Sequence, residues 1–403
     1  MRTLIDPDTA IELVLASSNH TKSLSFSVYE TLGEILAESI LADSDYPPFD
    51  RSMMDGYAVR ASDAGGTVNV AGEVAAGGVS THHVAAGTAM EIMTGAPCPD
   101  GTEAVVPKED VTREEDRVTL PTTIKPGQNI TRRSAECAKG TTVLNAGDTI
   151  TPLALATIVT FGIEEVSVYP TPKLAIITTG DELVAPHVSP GPSQIRNSNG
   201  PMLAAMAQSL AVSPTFVTHA RDTMDELRNA LAQASACDFI ILTGAVSAGK
   251  YDSVPDALRE FGATPIFHKV TQRPGKPIFF ATRDRQLIFG LPGNPLSCHL
   301  GFHRYVAPAI RKFMHHEPLP PKATGTLAAP YVMKGPRTVF QLARAEHRDN
   351  AWIVTPLLAK GSADMYAGST ANCMLRFEPG CGTVETGSTI EFEWLLGASP
   401  LPR

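Results

Sequence analysis

Glycines, hydroxyls and carboxylates gather at the ends of apolar runs between residues 171 and 317. The stretches "TTGDEL" (178–183), "HARDTM" (219–224), "TGAVSAGKYDS" (243–253) and "GLPGNPLS" (290–297) each follow a run that reads as a strand. Open α/β sheets bind ligands outside the carboxyl ends of their strands, so these exits are where chemistry is expected. Gly244, Ser247 and Gly249, in one strand-to-helix loop, can aim backbone N–H groups at a phosphate. A glycine-rich turn of this kind is also an ordinary packing device. Asp181, Glu182, Asp222 and Asp252 fall at the same edge, and a hard cation such as Mg²⁺ uses one or two carboxylates together with waters and substrate phosphates. For Asp222 a second reading stands beside this one, because "RDTMDEL" is also a helix start where an acid caps free N–H groups. In "VTQRPGKPIFF", Arg273 and Lys276 flank a Pro-Gly turn, either as a rigid pair of cations for an anion or as solvated charges on a tight turn. "PPFDRSMMDGYAVR" (47–60) has no helix or strand period, and its Asp-Gly beside Tyr-Ala-Val reads most simply as a hairpin turn whose glycine supplies a positive φ.

The elements that must carry these residues follow from hydrophobic period. In 171–317, near-continuous apolar runs ("KLAIITTG", "DFIILTG", "QLIFGLPG") alternate with amphipathic segments ("GPMLAAMAQSLA", "TMDELRNALAQASA", "SVPDALREFG"), which predicts a mostly parallel sheet covered on both faces. Residues 1–44 contain two helix-like stretches, "DTAIELVLAS" and "VYETLGEILAESIL", and 138–170 return to a helix-like "PLALATIVTFG" and a strand-like "EEVSVYP". These flanks are expected to build one discontinuous N-terminal, linker-like domain around an inserted β-rich domain at 45–137. After the proline-rich "HHEPLPPKATG" the chain shows strands and turns, a small C-terminal β domain or barrel at 318–403. The predicted fold class is α/β plus β.

Composition narrows the function. The net charge of −9 argues against a general nucleic-acid binder, since phosphate-backbone affinity rests on clustered Lys and Arg. No apolar run approaches a membrane span and the N-terminus lacks a signal-peptide pattern, so a soluble cytoplasmic protein is expected. The six cysteines are scattered without a Cys-x-x-Cys pair, which suggests neither a zinc site nor a disulfide framework.

Taken in order, "PPFDRSMMDGYAVR", "IMTGAPCPDGTEAVV", "TTGDEL", "TGAVSAGKYD", "RPGKP" and "LPGNP" make the chain resemble the MoeA family of molybdopterin molybdenumtransferases, to which the E domain of gephyrin is related. The resemblance spans nearly the whole chain. It implies an elongated four-domain subunit and a homodimer, with each active-site cleft shared between the α/β domain of one subunit and the first two domains of the other. It implies molybdate and molybdopterin-AMP as substrates, AMP as leaving group, Mg²⁺ as cofactor, and transient contact with other proteins of molybdenum cofactor biosynthesis. Asp55, Thr94, Glu182, Asp222, Asp252 and Lys276 match family positions tied to activity, with Glu182, Asp222 and Asp252 as metal ligands. Arg51, Ser52, Glu136, Gly244, Ser247 and Gly249, with Arg273, Pro292, Gly293, Asn294 and Pro295, match substrate-contacting stretches. The chain departs from the family where Ala245 replaces a usual Gly, Arg273 a usual Lys, and "TRRSAECAKG" keeps only Glu136 of an acid pair. Alternatives within the same fold are a molybdopterin adenylyltransferase-like enzyme, which would lack the "MDGYAVR" region and the β tail, a tungstate-inserting paralogue, and a gephyrin-like scaffold.

Overall fold

The computed structural model describes residues 1–78, 82–244 and 254–398. Ser247, Gly249 and Asp252 of the glycine-rich exit therefore lie outside the described residues. The chain divides into two compact units, Met1–Leu24 with Tyr169–Arg403, and Ser25–Val168.

The larger unit is built on a seven-stranded sheet in the order Arg2–Ile5, Thr264–Val270, Phe279–Arg283, Gln286–Leu291, Phe239–Thr243, Leu174–Thr179, Phe216–Ala220. All neighbours run parallel except around Phe279–Arg283, which is antiparallel to both of its neighbours. Successive residues of a strand point to opposite faces, and here both faces are buried. Leu174, Ile176, Phe239, Ile241 and Phe289 enter one core, while Ala175, Ile177, Ile240, Leu242 and Ile288 enter the other. Helices cover the two faces, Asn199–Gln208 over the first and Met224–Gln233 over the second. This double cover explains why the runs read as continuously apolar.

Two expectations for residues 1–44 need correction. Arg2–Ile5 is an edge strand of the seven-stranded sheet, with Arg2 opposite Phe267, and the helix Pro7–Ser17 buries Ala10, Ile11 and Val14 in the same core. The opening segment thus belongs with the α/β sheet and not with a linker domain. The second helix is absent: "VYETLGEILAESIL" folds as a short 3₁₀ turn, Val28–Glu30, and two short strands, Ile35–Leu36 and Ile40–Leu41. Gly33 at φ +88° interrupts any helix there, and the chain instead pairs outward, Leu36 N donating to the Asp148 carbonyl and Ala37 N to that of Ser167. Val28, Leu36 and Ile40 still reach a core with Ile150, Ile158 and Val166. Their spacing satisfied a helix and a strand pair equally well.

The C-terminal strands close into a ring: Thr338–Arg348, Ala351–Pro356, Lys322–Leu327, Thr389–Trp394 and Cys373–Phe377, the last pairing back on the first. Closure removes unpaired edges. A buried ion pair fastens this barrel to the helix that follows "LPGNP". Arg304 Nη1 donates to both carboxylate oxygens of Glu393, at 2.8 and 3.0 Å, with the two side chains only 6% and 11% exposed.

In the smaller unit a six-stranded sheet runs Thr112–Glu114, Arg117–Thr119, Thr67–Val74, Thr88–Ile92, Gly56–Val59, Ala104–Pro107. Among the described residues no helix is long and apolar enough to cross a membrane.

Candidate functional site

The parallel strands deliver their exits to one cleft of about 520 Å³. Glu182, Asp222, Gly244, Pro292, Gly293 and Pro295 all line it, as the exits predicted. Close approach requires a glycine at 244, whereas at 293 a Cβ would make only ordinary contact. A Cβ on Gly244, which sits at φ +102°, would stand 2.3 Å from the Thr179 carbonyl oxygen, and one on Gly293 would stand 3.7 Å from Gly244. Asp222 also serves its own loop, its backbone N–H donating to Asp181 Oδ1 at 3.3 Å. The helix cap there is not Asp222 but Thr223, which accepts from Glu226 N–H. Asn294 opens the helix Pro295–Gly301 without capping it, and its amide donates to Ser362 Oγ at 2.9 Å. Cys298, beneath the floor, bonds Thr243 Oγ1, and burial pushes its thiol up to about 12, so it is no nucleophile.

The Pro-Gly turn lines a second cavity of about 380 Å³, which shares Pro277, Pro292 and Asn294 with the first. Arg273, Lys276 and Arg337 line it, and none of the three makes an ion pair among the described residues. The turn is braced from below by buried Gln272, whose Nε2 donates to the carbonyls of Pro274 and Gly275, both at 3.3 Å. Gln272 Oε1 accepts in turn from the Tyr305 hydroxyl. Arg337 Nη1 donates to the Gln272 carbonyl at 3.2 Å. His299 also lines this cavity, but burial draws its imidazole down to about 4, leaving it neutral. The cavity is therefore cationic through three side chains held on a stiff frame.

In the smaller unit, Asp55 is exposed and its Oδ1 accepts from Thr94 twice, 2.7 Å from N and 2.8 Å from Oγ1. The antiparallel pairing of Gly56 with Ile92 places these two residues together just beyond the strands. The Thr94 backbone and hydroxyl bonds, aided by the nearby Lys108 charge, hold the Asp55 carboxyl below the usual range. Gly56 corrects the hairpin reading. It lies in the strand Gly56–Val59 and is absent from the positive-φ glycines, and it is needed because a Cβ would meet the Val106 carbonyl oxygen at 2.1 Å. Arg51 pairs with Glu136 at 2.6 Å and lies over Tyr46, 5.7 Å from the ring centroid. The Ser52 hydroxyl is turned inward, donating to the Met54 carbonyl at 2.6 Å, so it shapes the loop. Met53, Met54 and Met93 leave apolar surface exposed around Asp55 and Thr94.

Several cleft residues escaped the sequence reading. Thr179, Arg196, Asn197 and Asn199 line the first cavity, and Arg337 and Ser362 the second. The asparagines in "RNSNG", just before a helix, were a legible signal for the first group. Nothing local marks Arg337 and Ser362, which reach the cavity from the barrel. Among the described residues no cluster of three or more His, Cys, Asp or Glu stands ready to hold a metal.

Comparison with known proteins gives a consistent picture. Residues 5–162 match the family model described as MoeA N-terminal region (domain I and II), and residues 175–312 match that of a probable molybdopterin binding domain. The chain is 33% identical over 391 residues to the molybdopterin molybdenumtransferase of Staphylococcus aureus, covering 95% of this chain and 93% of that protein. It is 32% identical to the protein of that name in Staphylococcus epidermidis over 399 residues, covering 97% and 95%. Its fold is similar to the crystal structure of the molybdopterin biosynthesis MoeA protein from Pyrococcus horikosii, with a TM-score of 0.80 at 26% identity over 97% of this chain and 99% of that one.

Proposed function

The chain belongs to the MoeA family of molybdopterin molybdenumtransferases, and on that premise we propose that it transfers molybdenum, supplied as molybdate, to molybdopterin held as its adenylate, releasing AMP. The observation that carries this reading is the pair of adjoining cavities with opposite character, one edged by carboxylates and glycines and the other lined by three unpaired cations. Molybdate is a dianion and needs cations at close range in a protein whose net charge is −9. Arg273, Lys276 and Arg337 supply them, and the guanidiniums add fork-like donors suited to tetrahedral oxyanions.

The first cavity takes the adenylate. Gly244 and Gly293 let backbone approach the phosphates, and Pro292 and Pro295 set the wall between the two substrates. Glu182 and Asp222, two carboxylates on one cleft, fit the needs of Mg²⁺, which when bound neutralises charge on the phosphoryl oxygens. Within this chain the work is positional: the anhydride oxygen and the pterin dithiolene are held against the oxyanion, and no side chain here is built as a nucleophile. Asp55, with its orientation fixed by Thr94, and the Arg51–Glu136 pair complete the site from a second copy of the chain, so the active enzyme is a homodimer. The match over nearly the full length of MoeA proteins favours this over an adenylyltransferase, which resembles residues 171–317 alone.

Equilibrium dialysis of the purified chain against molybdate, tungstate, sulfate and phosphate tests the oxyanion site. Saturable molybdate binding that is weakened roughly 10- to 100-fold in Lys276→Ala is expected. Molybdate binding no tighter than phosphate, or unchanged in Lys276→Ala, refutes this assignment of the second cavity.

A further inference from the structure

Two polar atoms on the strand-exit cleft are left over by the fold. Asn199 opens the helix Asn199–Gln208, and its amide orientation is fixed by its neighbours. Nδ2 donates at 2.8 Å to the Gly293 carbonyl, which can only accept, and at 3.1 Å to Thr243 Oγ1. Thr243 has committed its own hydrogen to the Pro292 carbonyl at 3.2 Å, so it too acts as acceptor toward Asn199. Both amide hydrogens are thereby used. Oδ1 remains buried without a hydrogen-bond partner among the described residues, and Thr179 Oγ1, at the end of the strand Leu174–Thr179, is in the same condition. Asn199 and Thr179 are 8% and 2% exposed, and both line the cleft. The neighbouring pair behaves differently: Asn197 Nδ2 donates to Thr178 Oγ1 at 2.8 Å and its Oδ1 accepts from Gly200 N–H at 3.1 Å. Asn199 Oδ1 and Thr179 Oγ1 thus lie buried without a partner among the described residues, on a surface already read as binding ligand. Gly244 keeps this place clear, since a Cβ there would lie 2.8 Å from Thr179 Oγ1.

A buried acceptor or hydroxyl left unpaired is costly, and in a ligand cleft that cost is recovered when the ligand completes the bond. The chemistry of the two atoms restricts the ligand. An amide oxygen accepts and cannot donate, so it is repelled by phosphate and molybdate oxygens and pairs with an N–H, an O–H or a cation. The hydroxyl can give a hydrogen to a carbonyl or ring nitrogen.

We propose that Asn199 Oδ1 and Thr179 Oγ1 recognise the polar edge of a heterocyclic ring in the organic substrate, an edge that presents an N–H donor and a hydrogen-bond acceptor. The oxyanion is left to the Arg273, Lys276 and Arg337 cavity. This inference rests on the proposed substrate, a pterin adenylate. Its pterin and its adenine both carry such an edge, and the test separates them. Asn199 and Thr179 are binding residues that discriminate by ring, with no part in bond breaking.

The experiment uses the full chain and its variants Thr179→Val and Asn199→Ala, titrated separately with AMP, with pterin-6-carboxylate and with molybdate, thermal melting being recorded for each. Thr179→Val replaces the hydroxyl by a methyl of similar shape and decides alone if Asn199→Ala melts early. A roughly tenfold loss of affinity for one ring, with molybdate binding unchanged, is expected from removing one such bond. Loss confined to AMP assigns the adenine, and loss confined to the pterin assigns the pterin; either supports the proposal. Folded variants that bind both rings as wild type does overturn it. If neither small probe binds wild type, the KM for molybdopterin-AMP decides. A KM raised for that substrate and not for molybdate supports the assignment, and an unchanged KM overturns it. A wild-type chain that fails to bind molybdopterin-AMP sinks the proposed function itself, an outcome distinct from variants that bind as well as wild type.

Discussion

Lys276→Ala removes one of three unpaired cations from the second cavity and leaves its frame intact, because the brace is Gln272 beneath the turn and not the lysine side chain. The backbone carbonyl of Lys276, which accepts from Val270 and Ile278 N–H groups at 2.9 and 3.0 Å, is present in any residue but proline. The variant should therefore fold normally. A charge-assisted contact contributes about 1.5–3 kcal/mol, which corresponds to a roughly 10- to 100-fold rise in KM for molybdate. Lys276→Arg should recover only part of this, since a planar fork does not occupy the place of a compact ammonium. Lys276 is exposed, so the contact is screened, and the penalty should shrink as ionic strength rises past physiological values, where the Debye length is about 8 Å. Arg285→Ala is the control. It removes the same charge from the turn that enters the strand Gln286–Leu291, at the opposite end of that strand from Pro292. The assay is initial-rate kinetics at varied molybdate and fixed saturating molybdopterin-AMP, at low and high salt. If Lys276→Ala and Arg285→Ala behave alike, the lysine acts only through net charge and the reasoning from cavity geometry fails.

Asp55→Asn should fold and pair with Thr94 as the wild type does, since the amide oxygen can accept both Thr94 bonds, yet turnover should fall tenfold or more. The folded pKa of Asp55 is depressed, so any stability it contributes is present above its unfolded value of about 3.9 and lost as pH falls through the lower folded value. Melting temperatures of Asp55→Asn and wild type should accordingly converge below about pH 4, and a gap that widens there contradicts the cited hydrogen bonds. Glu393→Gln leaves the Arg304 guanidinium buried without its counter-charge and should destabilise by about 3–5 kcal/mol in denaturant titration, whereas the double change of Arg304 and Glu393 to leucine should recover most of the loss. Mixing inactive Asp55→Asn with inactive Glu182→Gln chains should restore part of the activity if each cleft draws on two subunits, and none after verified subunit exchange if it does not.

The α/β sheet was legible because strands such as Leu174–Thr179 are buried along their whole length and cannot be mistaken for half-exposed ones. The exits were legible for a related reason: Gly244, Glu182 and Pro292 follow closely on the apolar runs and end them at one edge of the sheet. What escaped depends on long-range pairing. The strand Arg2–Ile5 is too short to announce itself and is defined by its partner Thr264–Val270. The segment 28–41 carries apolar residues at a spacing compatible with a helix, and only Gly33 and its pairing partners decide against it. Gly56 was read as a turn glycine because the Val106 carbonyl that excludes a Cβ lies 50 positions later. Arg337 joins Arg273 through the parallel pairing of Gln272–Arg273 with Thr338–Val339, a contact invisible before the barrel is built.

The central claim is that this chain consumes molybdopterin-AMP together with molybdate, in adjoining cavities of one site. Quantifying AMP released and molybdenum incorporated in a single reaction tests it most directly, with molybdate and Mg²⁺ varied and tungstate as a parallel arm. The account predicts release of AMP and incorporation of molybdenum in equal amounts, saturating at low molybdate in the wild type and shifted to higher molybdate in Lys276→Ala. AMP release that is indifferent to molybdate, or none from the folded protein, contradicts it.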